Sequence, residues 1–371
     1  MTLLVVSSLD ALCRQQACED LAAARPGSLV VLHDLLESGL VIRRVFSGRI
    51  LLEREETTLE HGCLSCAVRL DLVPSIERLL KKAAGPIIIG LPPGVPSSAA
   101  VSALRRTLSR PASVGSVVLA CSPDALEDNI WEAHTLFESG FTPLPEEERT
   151  PGEFLLGELA FADTVLLTEP DIVPPDPLGR ERGLHLIPEL APHIEVAHDA
   201  AAVRAGLHRY RDAVARTAPG NAFMPTRSSG TPGSPFATMF QRVERPLHPG
   251  RFRQVLATLA EGCCVLRGQL WMASAPACRI AIQGIGPRVW LENLGPWPEG
   301  APAGGVKRTA QEPAATVIAA TGEGLDADEF EQLLVSCQLT DEELAAGGNG
   351  MHDPFGLFPL EESTPPKGTA S

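Results

Sequence analysis

The sequence predicts an α/β fold: a parallel sheet with helices on both faces, followed by a smaller α+β unit. Three observations lead there. Short apolar runs alternate with helix-patterned stretches up to about residue 216. A stretch dense in Pro, Gly and Ser then interrupts the pattern, and a second patterned region follows it.

The runs LLVV (3–6), SLVVLH (28–33), PIIIG (86–90), SVVLAC (116–121) and DTVLLT (163–168) are continuous rather than alternating. Strands buried on both faces of a parallel sheet have that composition. Between them, Asp10 to Ala24, Arg69 to Ala84, Ser97 to Ser109, Asp124 to Ser139 and Gly152 to Ala162 are helix-like. Strand–helix alternation of this kind gives a sheet covered by helices, with ligands beyond the carboxyl ends of the strands. The expected organisation is a first domain over 1–216, a linker over 217–240, a second domain over 241–346 and a mobile tail over 347–371. The second domain reads as a helix (Pro249 to Glu261), four strand-like runs (265–273, 279–283, 289–291, 315–321) and a closing helix (Asp326 to Cys337).

Composition narrows the function classes. The 371 residues carry a net charge of -15, a poor basis for gripping phosphate backbones directly, so direct broad nucleic-acid binding is not expected. No apolar run reaches the roughly 18 to 20 residues that span a bilayer, and no basic residue precedes the first apolar stretch as in a secretory signal. Nine cysteines, an odd number spread unevenly, suit reduced thiols, and the expected location is cytoplasmic.

Two segments carry chemistry. The first is the turn after the first strand. A phosphate-binding loop there reads G-x-x-x-x-G-K-[ST], with glycines that let backbone N–H groups close on phosphate, a Lys on the β/γ oxygens and a hydroxyl on Mg²⁺. This chain has Ser8, Leu9, Asp10, Ala11, Leu12, Cys13, Arg14 and Gln15 at that spacing. Both glycines are absent, and Asp10 brings a negative charge to the phosphate position. Arg14 keeps the charge of the Lys in a bulkier shape, and Gln15 offers a neutral carbonyl in place of the hydroxyl. An ordinary strand–turn–helix fits the same residues.

The second is Glu60-His61-Gly62-Cys63-Leu64-Ser65-Cys66, a Gly-turned thiol pair opening a helix. Thiolates at such a place are stabilised and can hold a metal, but two do not complete a tetrahedral zinc site, and His61 is the nearest further donor. A half-buried structural pair and a redox pair are the alternatives.

The thiol segment, through Val68, Arg69, Asp71 and Leu72, resembles the N-G-C-x-C-C-x-V-R-x-D-L signature of the CobW family of P-loop GTPases, which includes zinc metallochaperones. His61 replaces the Asn and Ser65 the middle Cys. Leu159 to Val173 resembles the family's segment ending in an Asn-Lys-x-Asp guanine box, of which Asp171 remains while Thr168 and Glu169 stand for the Asn and Lys. Gly90-Leu91-Pro92-Pro93-Gly94 stands where the family has a Glu-bearing turn. Arg245-Pro246-Leu247-His248-Pro249, Arg267-Gly268-Gln269-Leu270-Trp271 and Cys337-Gln338-Leu339-Thr340-Asp341 resemble segments of the CobW C-terminal domain.

The resemblance implies a P-loop GTPase-like first domain and a CobW C-terminal second domain. It implies GTP and Mg²⁺ at Ser8, Cys13, Arg14, Gln15 and Asp171, and zinc at Cys63, Cys66 and His61. It implies GTPase activity, although the P-loop Lys and Thr and most of the guanine box are not retained. The H-G-C-L-S-C variant is most similar to the actinobacterial Mrf subgroup, which implies an adaptor of zinc homeostasis that recruits a hibernation factor to ribosomes under zinc limitation. The alternative is a metallochaperone that couples GTP hydrolysis to zinc transfer.

Overall fold

A computed structural model describes residues 1–59, 63–108, 112–169, 174–222, 233–297, 314–346 and 351–357. The first domain holds an eight-stranded sheet: β1 (Thr2–Ser7), β2 (Leu29–Leu35), β3 (Leu40–Ser47), β4 (Ile50–Thr58), β5 (Ile87–Gly90), β6 (Ser113–Cys121), β7 (Thr164–Leu167) and β8 (Glu195–Ala197). Their spatial order is β4-β3-β2-β5-β1-β6-β7-β8. The six strands from β2 to β8 in that order pair in parallel, and β3 and β4 extend one edge as an antiparallel hairpin.

Helices cover both faces: α1 (Ala11–Ala23), α2 (Leu64–Cys66), α3 (Val73–Leu79), α4 (Ser97–Thr107), α5 (Leu126–Trp131), α6 (Pro151–Phe161), α7 (Pro177–Leu190) and α8 (Tyr210–Thr217). The period of two along the strands explains why the apolar runs are continuous. Leu4 and Val6 of β1, Val30 and Leu32 of β2 and Ile88 of β5 pack with Cys13, Ala17 and Leu21 of α1. Leu3, Val5, Val31, Ile87 and Ile89 point the other way, into the core made with α3, α4, α6 and α7. Each such Leu, Ile or Val contributes roughly 1.5–3 kcal/mol on full burial.

The second domain is a five-stranded antiparallel sheet, order β12-β11-β10-β13-β9, built from β9 (Phe236–Val243), β10 (Cys263–Leu270), β11 (Cys278–Ile285), β12 (Arg288–Pro296) and β13 (Thr316–Glu323). α9 (Pro249–Ala260) and α10 (Ala327–Ser336) pack on it, and α11 (Asp341–Ala345) follows. The five expected parallel strands and the second-domain helices are therefore present. Three findings differ from the expectation. The β3–β4 hairpin was not foreseen. β9 begins at Phe236, inside the segment expected as linker 217–240. Part of the expected tail 347–371 is packed: the Phe355 ring lies 6.1 Å from that of Phe252, and Asp353 caps the backbone of Phe355 and Leu357.

The domains share a packed seam. Phe236, Cys264, Val265 and Ile285 belong to the main core of the first domain. Arg182 of α7 bonds both Glu127 and Glu323, and the buried Arg267 donates to the Leu190 carbonyl at 3.2 Å. Gly286 (φ +52) comes so near the Ile130 carbonyl that a Cβ there would lie 2.1 Å from its oxygen. Only glycine fits that approach. Among the described residues no helix is long and apolar enough to cross a membrane.

Candidate functional site

The β1–α1 turn is closed by its own side chains. Asp10 is the N-cap of α1, and one carboxylate oxygen accepts from the backbone N–H of Leu12 and of Cys13, both at 2.8 Å. These are the helix-start donors that a phosphate would otherwise use. The Ser8 hydroxyl accepts from the Asp10 N–H at 3.1 Å and is buried. Gln15 donates along the helix to Glu19 at 2.8 Å. Burial pushes the Cys13 thiol up to about 11, partly offset by a hydrogen bond with Thr168, so it stays protonated.

Arg14 is turned into the protein. It is 1% exposed, and its guanidinium donates to the carbonyls of His33 (2.6 Å) and Leu91 (3.0 Å) and to the Asp34 carboxylate (2.5 Å). The expectation that Arg14 would carry the P-loop cation is thus corrected: three acceptors on β2 and after β5 hold the charge inside. Asp34 is shared with Arg44 at 2.7 Å. Burial acts to raise the Asp34 carboxyl, but the two guanidiniums outweigh it and hold it below the usual carboxylate range.

A fully buried carboxylate sits below the turn. Glu158 of α6 accepts from the Ser7 hydroxyl and from the Ser97 backbone N–H at 2.9 Å, joining the end of β1 to the start of α4. Burial raises its pKa. On the guanine side, Thr168 is buried at the end of β7 and Glu169 pairs with Arg180. A nucleotide phosphate therefore meets a carboxylate at the helix start, a cation already committed elsewhere and a second carboxyl beneath. The residues present do not fit Mg-GTP.

The thiol turn is built differently. Cys63 is the N-cap of α2, and its sulfur accepts from the Cys66 backbone N–H at 3.4 Å. Cys63 is exposed and Cys66 half-buried. Burial acts to raise the Cys63 thiol, but hydrogen bonds from the Cys66 thiol and from the backbone of Cys66 and Ser65 prevail and hold it below the usual value. Cys66, as the donor to Cys63, is held above it. The arrangement is a pair of sulfurs joined by a hydrogen bond, with the exposed Cys63 the more acidic of the two; sulfur donors of this kind suit zinc.

The helix behind the thiols is anchored by charge. Residues Ala67–Leu72 form a π-helical stretch that leads into α3, and Asp71 within it is buried. Asp71 pairs with Arg43 of β3 and lies 3.0 Å from His33 Nε2 of β2. Arg43 also pairs with Glu55 of β4, and Glu53 of β4 takes a two-pronged bond from Arg78 of α3 at 2.6 and 2.7 Å. Burial lowers the His33 pKa against the pull of Asp71. The matched V-R-x-D-L segment thus fixes the thiol helix to the hairpin edge of the sheet.

Cys63 opens into a cleft of about 740 Å³ between the thiol helix, the start of α4 and the Pro143–Arg149 segment. Its walls include Leu59, Val95, Pro96, Ala99 and Leu144, with Glu146 and Arg149 among the polar groups. Leu144 packs with Leu64 and Cys66 on a small cluster around Leu35, Val41, Leu59 and Ala67. Arg149 ties Glu147 and the Gly94 carbonyl together, which keeps this wall in place.

Of the expected site residues, Ser8, Cys13, Arg14 and Gln15 lie together on the β1–α1 turn, and Cys63 and Cys66 lie together on a separate turn. His61 and Asp171 fall outside the described residues. Among the described residues no group of three or more His, Cys, Asp or Glu is placed to hold a metal. Sequence reasoning missed His33, Asp34, Arg43 and Glu158. The polar pair at the end of an otherwise apolar strand, His33-Asp34, was the available signal.

Residues 236–338 match the family of the cobalamin synthesis protein cobW C-terminal domain. The zinc chaperone Rv0106 of Mycobacterium tuberculosis is 25% identical over 285 residues, covering 74% of this chain and 69% of the relative. The second domain is thus similar to the CobW C-terminal domain. The uncharacterized protein Mb0109 of Mycobacterium bovis matches with the same identity and coverage. Among solved structures, the Zn(II)-bound YjiA GTPase from E. coli aligns with 91% of this chain and 99% of its own at 11% identity and a TM-score of 0.38.

Proposed function

We infer that this protein is a zinc-handling, chaperone-like CobW protein that carries its metal at Cys63 and Cys66 and does not use the β1–α1 turn for GTP hydrolysis. The observation that carries the reading is the contrast between the two turns. The open one presents a thiol pair with a lowered Cys63; the closed one spends its helix N–H groups on Asp10 and its cation on Asp34. The zinc chaperone among the relatives supports the metal. Zinc is cargo on this reading. Cys63 and Cys66 supply two of its four donors, and His61 is the proposed third.

Phosphoryl transfer needs a cation and oriented N–H groups on the transferred phosphate. Because neither is available here, coupling to hydrolysis gives way to an adaptor role, in which the metal-loaded state is read by a protein partner. The net charge of -15 favours a basic partner. A hibernation factor or a ribosome is the partner that the subgroup resemblance proposes, and the cytoplasm is the proposed location.

Cobalt substitution tests the metal site. Co²⁺ titrated into the reduced protein should give thiolate-to-metal charge-transfer absorption that saturates at one equivalent and is displaced by Zn²⁺. The Cys63→Ser, Cys66→Ser double variant should give none. An unchanged spectrum in the double variant would remove both residues from the site.

A further inference from the structure

The seam between the domains holds a small cavity of about 130 Å³. Its walls come from both domains: α6, α8 and residues 218–221 on one side, β10 and β11 on the other. Two arginines line it, Arg216 of α8 and Arg267 of β10. Arg267 is 8% exposed, and burial brings its pKa down to about 9. Burial also lowers Arg216, against the pull of Asp163 and Asp212. His193 is lowered by burial, then by Arg216 and more weakly by Arg267, so the two guanidiniums act on the same stretch of the seam.

A cation drawn out of water is costly, and a lowered arginine pKa is the mark of that cost. Backbone carbonyls orient the two arginines without neutralising them: Arg216 donates to Ala160 at 2.8 Å and Arg267 to Leu190 at 3.2 Å. The carboxylates that act on Arg216 or line the cavity are placed for other work. Glu153 takes the Thr150 N–H at 2.9 Å and faces Arg288, Asp163 takes the Val117 N–H at 2.9 Å and pairs with His208, and Asp212 is exposed. Arg267 and Gln283 are cross-strand partners, so their side chains leave the sheet on the same face, and a neutral amide stands beside the guanidinium.

We propose that this cavity binds a small oxyanion, of phosphate or carboxylate type, between Arg216 and Arg267, with the Gln283 amide as a further donor. A guanidinium fork meets either oxyanion with paired N–H donors. The cavity is too small for a nucleotide, since pockets for molecules of that size run to roughly 300 Å³ and more. Arg216 belongs to the first domain and Arg267 to the second, so the bound ion ties the two together and stabilises the folded chain by mass action. The site needs no metal and shares no residue with the thiol turn.

Isothermal titration of inorganic phosphate, and separately of malonate, into the full chain at constant ionic strength tests this. Wild type should bind with saturation at one site per chain, and the two anions should compete; the tighter one shows whether the site prefers phosphate or carboxylate. Arg216→Gln should weaken binding about tenfold, a loss of roughly 1.4 kcal/mol. Gln283→Leu, which keeps both charges, should weaken it a few-fold, on the order of one hydrogen bond. Arg211→Gln removes an exposed charge of α8 and should change nothing. The melting temperature should rise with anion in wild type and Arg211→Gln and stay flat in Arg216→Gln. If Arg216→Gln does not fold, Gln283→Leu decides alone. No saturable binding of either anion to wild type, or equal affinities in wild type, Arg216→Gln and Gln283→Leu, would overturn the site.

Discussion

The β1–α1 turn and the Cys63 turn are both strand-to-helix entries in the first domain, yet one is sealed and the other open. In the first, Asp10 takes two helix N–H groups and Arg14 lies 1% exposed against three acceptors. In the second, the cap is a sulfur, the cap residue is exposed and a cleft lies in front of it. The comparison shows what a strand-to-helix turn without glycines or Lys does with its polar groups. Its polar groups do not stay poised for a ligand; they are absorbed into the packing, because a buried charge is stable only when paired. The thiol turn kept its exposure because the polar work behind it is done by Asp71, Arg43 and His33, one helical stretch away.

The contrast breaks first at the thiols. Cys63→Ser with Cys66→Ser should lower zinc affinity by at least about a hundredfold, read by chelator competition, since losing even a residue that only supports a metal ligand typically costs about 10- to 100-fold. At the sealed turn, Arg14→Ala should leave Asp34 and two carbonyls without their buried cation and cost about 3 kcal/mol in urea unfolding. An exposed, phosphate-facing Arg14 would cost almost nothing, so a flat result there would reverse the assignment.

Acid stability sharpens the picture of the seam. Burial, with Arg216 nearby, lowers His193 from the ordinary 6.5 to about 4. Its folded pKa lies below the unfolded one, so as pH falls below about 6.5 the unfolded chain takes up the proton first. Stability should therefore decline from pH 6.5 towards 4, by about 2–3 kcal/mol for this group, and His193→Gln should flatten the decline in thermal melts. His33, also lowered by burial, adds a loss of the same sign. The smallest effect is at the cap itself. Asp10→Ala should cost about 1 kcal/mol of stability and should not create nucleotide binding, because Arg14 remains committed to Asp34.

Much of the fold was legible in the residues, and the limits have physical causes. Val30, Val31 and Leu32 read as a buried strand because both faces are covered, and the structure divides them between two cores. Of the β3–β4 hairpin only the turn at Ser47-Gly48 was written in the chain; LVIRRVFS and ILLEREETT group their apolar and charged residues in blocks, so no strand period marks them. Phe355 was placed in a tail because its neighbours are polar and Gly-rich; a single ring packed at a tilt against Phe252 leaves no period to read.

At the candidate site, the absence of a standard phosphate loop was plain from Asp10 and the missing glycines. The inward turn of Arg14 was not. Its acceptors, the carbonyls of His33 and Leu91, come from distant strands, and a carbonyl carries no sequence signal. Cys63 and Cys66 were legible by spacing, whereas the cleft needs Pro96, Ala99 and Leu144 brought together by the sheet.

The central claim is that the thiols carry the metal and the β1–α1 turn holds no nucleotide. Isothermal titration of GTP and GDP with Mg²⁺ into the full chain, zinc-free and zinc-loaded, tests it most directly. The account predicts no binding in either state while Zn²⁺ itself titrates to one equivalent. Micromolar GTP binding that strengthens with zinc would contradict it, and would show that Ser8 to Gln15 rearrange to form a working phosphate loop.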